Sequence, residues 1–299
     1  MELNLYLIYA FHSNWTKPYM INNKSSMYAM DDFAILTTIL SALKWREKNG
    51  KIKMITDEAG AEFYKSHQMT DLWDLGIDVI LDNVIPQNID AKNLWAAGKI
   101  YSLKHTKNPC AMIDTDMIIW ESIYNKIKFS KLSVIHKEPL DENYPNKNYF
   151  SMNDTFKFHK DLNWNIEPVN TSFMYINSVL LKEYYVNSSI EFMTSIKQCN
   201  SPIKEMIFAE QRLLSMCAEK LNINVNSLYT LRELLYKNQK YFTHLWGLKS
   251  VLLKNRKARE NFCLKCINRI ISDFPEYEYL IANNYEFKDY YIKYKIMHP

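Results

Sequence analysis

The chain has 299 residues, of which 47% are hydrophobic and 23% charged, and its formal net charge is +4. This composition is typical of a folded globular protein and not of a disordered one, and so small an excess of base gives no argument for a nucleic-acid partner. With 5 glycines, and neither G-x-G-x-x-G nor G-x-x-x-x-G-K-[ST], the sequence excludes the common glycine-rich phosphate loops.

The first half of the sequence predicts strands and helices in alternation. Short apolar runs indicate buried strands, and the segments between them carry apolar residues at helical spacing. The clearest helix begins after Asp31 and Asp32 and stops at Asn49 and Gly50. Connections of this length favour parallel crossovers, and so an α/β fold with a mostly parallel, Rossmann-like central sheet flanked by helices. The predicted strands are 3–10, 51–56, 77–81 and 110–113, and the predicted helices are 33–48 and 92–105, with one or two helical turns expected within 62–74.

The second half is less regular and ends in a basic, aromatic and helical extension. We predict a main domain over residues 1–249 and a helical C-terminal appendage over 250–299. Five cysteines without framework spacing favour a reducing compartment, and Cys263 and Cys266, on one helix face, are expected in the core. Further strands are predicted at 133–136, 169–176 and 241–245, and helices at 178–195 and 202–220.

The most informative feature is the pair Asp114 and Asp116 at the end of predicted strand 110–113. Carboxylates one residue apart share a face of an extended chain, and they repel each other unless a cation lies near them. Hard oxygen ligands suit Mg²⁺ or Mn²⁺, which often complete their shell with phosphates. The pair therefore predicts a metal–diphosphate site at the carboxyl edge of the sheet. The alternative is a strand end at which both acids cap a turn or the next helix.

Four motifs follow one another in a recognisable order. They are Asp114-Thr115-Asp116, Asn170-Thr171-Ser172 leading into Ile176-Asn177, Glu210-Gln211, and His244-Leu245-Trp246-Gly247-Leu248-Lys249. Taken together they resemble those of the GT-A glycosyltransferases, most closely the type of families 8 and 32, and the resemblance covers about residues 1–250. It implies a GT-A fold.

The resemblance implies a nucleotide-sugar donor, with a UDP-sugar favoured, and a divalent metal. Asp114, with Thr115 beside it, would contact the ribose and the metal, Asp116 would ligate the metal, and His244 would supply the third ligand. Imidazole beside two carboxylates suits Mn²⁺ better than Mg²⁺, which is the alternative ion. A histidine satisfied by hydrogen bonds next to Trp246 is the alternative for His244.

The same resemblance assigns the diphosphate and the donor sugar. Gly247 would let the backbone approach the phosphates, and Lys249 would pair with them. The sequence departs from the family here, because the Gly-to-Lys spacing is one residue shorter and no Pro-Trp follows. Asn170 would hold a hydroxyl of the donor sugar, although it could equally be a turn residue, and Ser172 stands where the family has glycine.

The remaining candidates would face the reacting carbon or the nucleotide. Glu210 and Gln211 would stabilise oxocarbenium character or activate an acceptor hydroxyl, unless they lie on a solvated helix face. Lys99 would reach the nucleotide, unless it is a solvated lysine. Residues at the end of the first predicted strand, Tyr9, Ala10 and Phe11, would bind base and ribose. Tyr9 or Phe11 would stack on uracil, and Asp57 would accept a hydrogen bond from the base or the ribose. The alternative for the two aromatic residues is a position in the core.

The implied activity is metal-dependent transfer of a sugar from the nucleoside diphosphate to a hydroxyl of a saccharide or glycolipid acceptor, with retention favoured. Residues 1–249 would form the catalytic domain. The basic, tyrosine-rich helices after residue 250 could lie on an anionic membrane surface or simply pack on the main domain. We expect a cytoplasmic protein, with peripheral contact to the inner membrane face as an option, and no nucleic-acid partner. The alternatives are a non-catalytic carbohydrate-binding scaffold of the same fold and a sugar nucleotidyltransferase, which usually needs a basic, glycine-rich loop that 9–15 lacks.

Overall fold

The computed structural model describes residues 8–236 and 239–298. The strands are β1 (Ala10–Asn14), β2 (Ile52–Thr56), β3 (Ile77–Val79), β4 (Cys110–Ile113), β5 (Met117–Ile119), β6 (Leu132–Val134), β7 (Ser151–Met152), β8 (Phe173–Ile176), β9 (Ile196–Gln198), β10 (Val225–Ser227) and β11 (Phe242–His244). The helices are α1 (Lys17–Asn23), α2 (Asp32–Lys48), α3 (Glu58–Ser66), α4 (Leu81–Val84), α5 (Ala97–His105), α6 (Tyr124–Ile127), α7 (Val179–Ser195), α8 (Pro202–Ile207), α9 (Leu213–Lys220), α10 (Leu231–Tyr236), α11 (Leu248–Lys254), α12 (Arg256–Asp273), α13 (Tyr279–Ala282) and α14 (Lys288–Met297).

A seven-stranded sheet runs through the molecule in the order β3-β2-β1-β4-β8-β6-β10. All of its neighbouring pairs are parallel except those of β8, which is antiparallel to β4 and to β6. The α2 and α12 helices cover one face, and α5, α7 and α9 cover the other. The predicted fold class, an α/β protein with a mostly parallel sheet between helices and a helical C-terminal appendage, is confirmed.

The first strand is displaced from its predicted position. Residues 3–7 of predicted strand 3–10 lie outside the described residues, and β1 begins only at Ala10. The polar sequence His12-Ser13-Asn14 is part of this strand because parallel β2 pairs with all of it, up to Asn14–Thr56, and parallel β4 pairs with β1 as far as His12–Ile113. Residues 12–14, which the sequence placed after the first strand, therefore belong to it.

The C-terminal helices pack on the main sheet layer. Cys263, Ile267 and Ile270 of α12 are fully buried in the cluster that contains α2, and Cys266 is 6% exposed, so the predicted core position of both cysteines is confirmed. Arg259 adds ion pairs to Asp32 at 2.8 Å and Asp31 at 3.2 Å, near the start of α2. The boundary at 249/250 stays a prediction. Over the described ranges, none of the helices is both long enough and apolar enough to cross a membrane.

A buried hydrogen-bond chain ties β1 to three other elements. The indole N–H of Trp73 donates to His12 Nδ1 at 3.2 Å, which places the ring proton on Nε2, 3.0 Å from Ser41 Oγ. Ser41 in turn donates to the Met117 carbonyl at 2.5 Å. Burial lowers the pKa of His12 to about 3, against the opposing attraction of Asp116, so the folded state holds this ring in its neutral form.

His12 should therefore make the protein less stable in mild acid. The unfolded ring titrates near 6.5, and between that pH and the folded value the unfolded chain binds the extra proton, so stability falls as the pH drops. Between pH 7 and pH 5 this group should cost up to about 2 kcal/mol. Urea unfolding at both pH values should show a smaller loss in His12→Gln than in wild type, with exposed His159→Gln as the control. Equal losses in all three proteins would contradict the assignment.

Candidate active site

The two aspartates lie in a tight turn at the carboxyl end of β4. The Asp114 N–H donates to the Ser172 carbonyl at 2.8 Å, and its carbonyl accepts from Met117 N at 3.0 Å, which closes the turn into β5. Thr115 is half-buried between the acids, and Asp116 is only 7% exposed. A carboxylate so buried requires a partner.

His244 reaches the aspartates through a two-stranded ribbon. The β11 strand pairs antiparallel with β5, with His244 opposite Met117, and Leu245 N donates to the Asp116 carbonyl at 3.2 Å. One ligand atom each of Asp114, Asp116 and His244 lies within 4.8 Å of the others. The structure thus brings together the three residues that the sequence motifs suggested as metal ligands.

Two lysines flank the acids. Lys99 Nζ lies 2.6 Å from Asp114 Oδ1 and 2.7 Å from Glu210 Oε1, while Lys249 Nζ lies 2.6 Å from Asp116 Oδ2. Three carboxylates against two ammonium groups leave this cluster one negative charge when His244 is neutral. The cluster is therefore suited to a further cation.

The position of Lys99 depends on a close helix–strand contact. Gly98 precedes it on α5, and a Cβ added at Gly98 would lie 2.5 Å from the Cβ of Trp15, just after β1. Only glycine lets α5 approach the chain there. The close approach sets where Lys99 enters the carboxylate cluster.

Burial and charge change the protonation of the cluster. Burial raises the pKa of Asp114 to about 6, in spite of Lys99, with Asp116 and Glu210 adding to the rise. Burial also raises that of Asp116, but Lys249 and His244 outweigh it and hold the pKa below its usual value. Burial lowers the pKa of His244 to about 4 against the pull of Asp116. The imidazole is therefore neutral near pH 7, which is the form that binds metal.

Glu210 and Gln211 lie on a π-helical turn, Phe208–Arg212, between α8 and α9. The predicted helix 202–220 has the bounds that the sequence indicated, and this π-helical turn interrupts its α-helical hydrogen bonding. The extra residue disturbs the carbonyl ladder, and Ser189 donates to the Ala209 carbonyl at 2.8 Å while Tyr185 donates to the Glu210 carbonyl at 2.6 Å. Glu210 is 6% exposed, so the alternative of a solvated helix face is wrong for this residue.

Asn170 shapes the turn before β8 and also faces a carboxylate. Its Oδ1 accepts from Ser172 N at 3.1 Å and from Ser172 Oγ at 2.6 Å, and its Nδ2 donates to Glu138 Oε1 at 3.0 Å. Ser172 is thus part of the turn. Next to it, Thr171 donates to Glu210 Oε1 at 2.7 Å, which links this turn to the π-helical one.

The predicted positions of Tyr9, Ala10 and Phe11 are wrong. Tyr9 is level with the first residue of β4, four residues or about 13 Å of strand before the edge where Asp114 lies. Ala10 and Phe11 are fully buried in the core. The error follows from the displaced first strand, whose carboxyl end carries Ser13 and Asn14 instead.

Asp57 holds the chain after β1 together. It is 1% exposed, and its oxygens accept from Thr16 N at 2.7 Å, Thr16 Oγ1 at 2.8 Å, Lys17 N at 3.2 Å and Gly60 N at 3.0 Å. These donors occupy the carboxylate, so the predicted contact to base or ribose is wrong. Asp57 caps α3 and fixes the segment that follows β1.

Gly247 and Lys249 lie on the exposed start of α11. The backbone at Gly247 has φ −72°, which any residue can adopt, and among residues 8–236 and 239–298 no atom lies within 4 Å of a Cβ added there. The described part of the chain therefore does not require glycine at this position.

Sequence reasoning missed three polar residues beside the site, His136, Glu138 and Tyr144, and gave no role to Thr171 of the second motif. His136 Nε2 lies 3.6 Å from Glu138 Oε1, and the Tyr144 hydroxyl donates to Gln211 Oε1 at 2.6 Å. His136 and Glu138 could have been found, because they close predicted strand 133–136 at the same sheet edge as the aspartates. Tyr144 carries no such signal, since it lies in an irregular segment.

The fold and the cluster define an α/β protein with a candidate metal centre at the carboxyl edge of its sheet. The sequence matches the model of a family of unknown function, DUF6734, over residues 8–284, and the chain belongs to that family. None of the curated proteins matches the sequence.

Three solved structures are similar to this chain at low identity. PaToxG glycosyltransferase is 7% identical over 72% of this chain and 69% of its own, with a TM-score of 0.42. Mouse xyloside xylosyltransferase 1, in its apo form, is 9% identical over 74% and 84%, with a TM-score of 0.39. The apo-form glycosyltransferase GlyE of Streptococcus pneumoniae TIGR4 is 12% identical over 69% of this chain but only 44% of its own, with a TM-score of 0.33. Superpositions this loose have no bearing on function.

Metal binding can be measured without any substrate. Titration of Mn²⁺ followed by electron paramagnetic resonance should show one site in wild type. Its affinity should fall at least about tenfold in Asp116→Asn, because the amide has lost the ligand charge; tenfold corresponds to about 1.4 kcal/mol. Asp154→Asn, at an exposed acid outside the cluster, is the matched control. Equal affinities in the three proteins would show that the cluster does not hold the ion.

Proposed function

We propose that this protein is a metal-dependent glycosyltransferase, which transfers a sugar from a nucleoside diphosphate to a hydroxyl of a saccharide or glycolipid. UDP is the nucleoside diphosphate that we favour. The observation that carries the proposal is the convergence of Asp114, Asp116 and His244 within 4.8 Å at the carboxyl edge of the sheet. Two carboxylates and a neutral imidazole form a donor set suited to Mn²⁺. The ordered sequence motifs, which resemble glycosyltransferase families 8 and 32, supply the nature of the substrate.

Asp114, Asp116 and His244 would hold the ion, which when bound neutralises the diphosphate as it leaves. Lys249 is the residue of this chain that would pair with the leaving group. Its side chain is about half exposed, and it contacts Asp116 at 2.6 Å, so a small side-chain rotation releases its ammonium toward an incoming phosphate. Gly247 would leave the α11 backbone open to the diphosphate.

The reacting end of the donor would lie beside Glu210. Its Oε1 is held by Lys99 at 2.7 Å and by Thr171 at 2.7 Å. A carboxylate fixed in this way can stabilise positive charge at an anomeric carbon or accept a proton from an attacking hydroxyl. Asn170 and Gln211 would orient the sugar hydroxyls.

A non-catalytic scaffold is the competing function, and one observation favours it. Lys249 and Lys99 already neutralise Asp116 and Asp114, so the acids can be stable without an ion. A scaffold would show no metal-dependent binding of a nucleotide and no turnover. The cytoplasmic location and the contact of the C-terminal helices with a membrane stay predictions; co-sedimentation with anionic vesicles tests the contact, and a protein that stays in the supernatant would contradict it.

Turnover gives the direct test of the proposed activity. With Mn²⁺, wild type should release UDP from at least one of UDP-glucose, UDP-galactose and UDP-N-acetylglucosamine. The rate of UDP release should fall at least about 100-fold in Asp116→Asn, which corresponds to about 2.7 kcal/mol of transition-state stabilisation. Asp154→Asn should keep the wild-type rate. Full activity in Asp116→Asn would contradict the assignment of Asp116 as a metal ligand. A wild type that is inactive with UDP-, GDP- and CDP-sugars alike would contradict the proposed function.

Gly247→Ala separates the folding role of this glycine from a ligand role. Because the backbone angle and the space both admit alanine, the free energy of unfolding should change by no more than about 0.5 kcal/mol. Calorimetry with UDP and Mn²⁺ should nevertheless show weaker binding than in wild type or in Ser250→Ala, a substitution three residues further on. Unchanged affinity for UDP would mean that no phosphate approaches this backbone.

A further inference from the structure

Arg212 is a buried cation whose role in the fold is unusual. It is 1% exposed, and its guanidinium donates to the carbonyls of Tyr144 and Pro145, each at 2.7 Å, and to that of Trp164. Within 8–236 and 239–298 it has no carboxylate partner, and its Nε–H is unpaired. Burying a charge without a counter-ion costs free energy of folding. The main contribution of Arg212 is therefore the chain segments that its hydrogen bonds hold in place.

The three carbonyls lie near the two ends of one segment, 141–165, which is irregular apart from a 3₁₀ turn and the short strand β7 that pairs with β9. Tyr144 and Pro145 lie near its start, Trp164 near its finish, and one guanidinium gathers both. The Arg212 Cζ lies 5.2 Å from the centre of the Trp164 ring, which stacks in turn on Phe208 at 5.4 Å and 13°. The segment is therefore pinned at both ends to the π-helical turn Phe208–Arg212.

This attachment reaches the candidate active site through Tyr144. The carbonyl of Tyr144 is held by Arg212, and its hydroxyl donates to Gln211 Oε1 at 2.6 Å. Gln211 is next in sequence to Glu210, whose carboxylate is fixed by Lys99 and Thr171. One short turn thus fixes a carboxylate, an amide and, through Arg212, a phenol side by side.

We propose that Arg212 is a positioning residue, which pins the 141–165 segment to the π-helical turn so that Tyr144 and Gln211 form a saccharide-binding wall beside Glu210. A phenol and an amide offer both donors and acceptors to sugar hydroxyls, and a wall that is ordered before binding loses less entropy on binding. The inference rests on the proposed function for the identity of the ligand, but the pinning itself does not.

Hydrogen exchange tests the pinning. Arg212→Met removes all three hydrogen bonds but keeps an unbranched side chain of similar length. Arg212→Lys keeps the positive charge but not the planar guanidinium with its fork of N–H donors. Lys220→Met is the matched control, because Lys220 on α9 reaches the same segment through a surface ion pair to Asp161 at 3.2 Å. Amides of 141–165 should exchange at least about tenfold faster in Arg212→Met, and less so in Arg212→Lys, with β4 and β8 unchanged. Exchange in both Arg212 variants like that of Lys220→Met would overturn the pinning.

Sugar discrimination tests the positioning. With Mn²⁺, the affinity of Arg212→Met for UDP should stay within about twofold of the wild-type affinity. Wild type should distinguish a UDP-sugar from UDP in affinity, or should release UDP at a rate that added methyl glycosides change. Arg212→Met should lose one of these two effects. The first loss would identify the donor sugar as the ligand and the second the acceptor. Tyr144→Phe should show the same loss of sugar dependence, while the amides of 141–165 exchange as in wild type. This variant keeps the test valid if Arg212→Met does not fold. Unchanged sugar dependence in Arg212→Lys and Tyr144→Phe would overturn the wall. A wild type that binds no nucleotide would overturn the proposed function and the wall, and leave the exchange result to decide the pinning.

Discussion

The structure of the candidate site depends on one electrostatic constraint. Three carboxylates, Asp114, Asp116 and Glu210, lie together at the edge of a central sheet where burial disfavours their charge. Lys99 bridges two of them and Lys249 pairs with the third. The elements that carry these five residues come from distant parts of the chain, so the cluster exists only in the folded protein.

The architecture places this cluster where an α/β sheet opens to solvent. The parallel strands end together at this edge, antiparallel β8 brings the Asn170–Ser172 turn to the same place, and the β5–β11 ribbon adds His244. The π-helical turn then moves Glu210 under Lys99. Each device acts on the backbone, so the fold itself brings these side chains to one edge of the sheet.

Much of the fold could be predicted because its signals are local. Strand β4 and helices α2 and α7 have caps or apolar periodicity that agree with their packing. The first strand could not be placed, because sheet pairing takes in the polar residues His12 to Asn14. That single shift misplaced Tyr9, Ala10 and Phe11. The π-helical turn was also missed, since its carbonyl partners Tyr185 and Ser189 are distant in sequence. Asp114 and Asp116 carried a local signal, whereas Tyr144 and Arg212 acquire their positions only through tertiary contacts.

The most direct test of the account is thermal unfolding with UDP, GDP or CDP, each with and without Mn²⁺, in wild type and in Asp116→Asn. A ligand at 100 times its dissociation constant adds about 2.7 kcal/mol to the stability of the folded state, which raises the melting temperature by several degrees. We expect a rise in wild type that requires both Mn²⁺ and one nucleotide, UDP in first place, and that is lost in Asp116→Asn. A melting temperature that no nucleotide changes would contradict the account and leave Asp114 and Asp116 as structural residues of a turn.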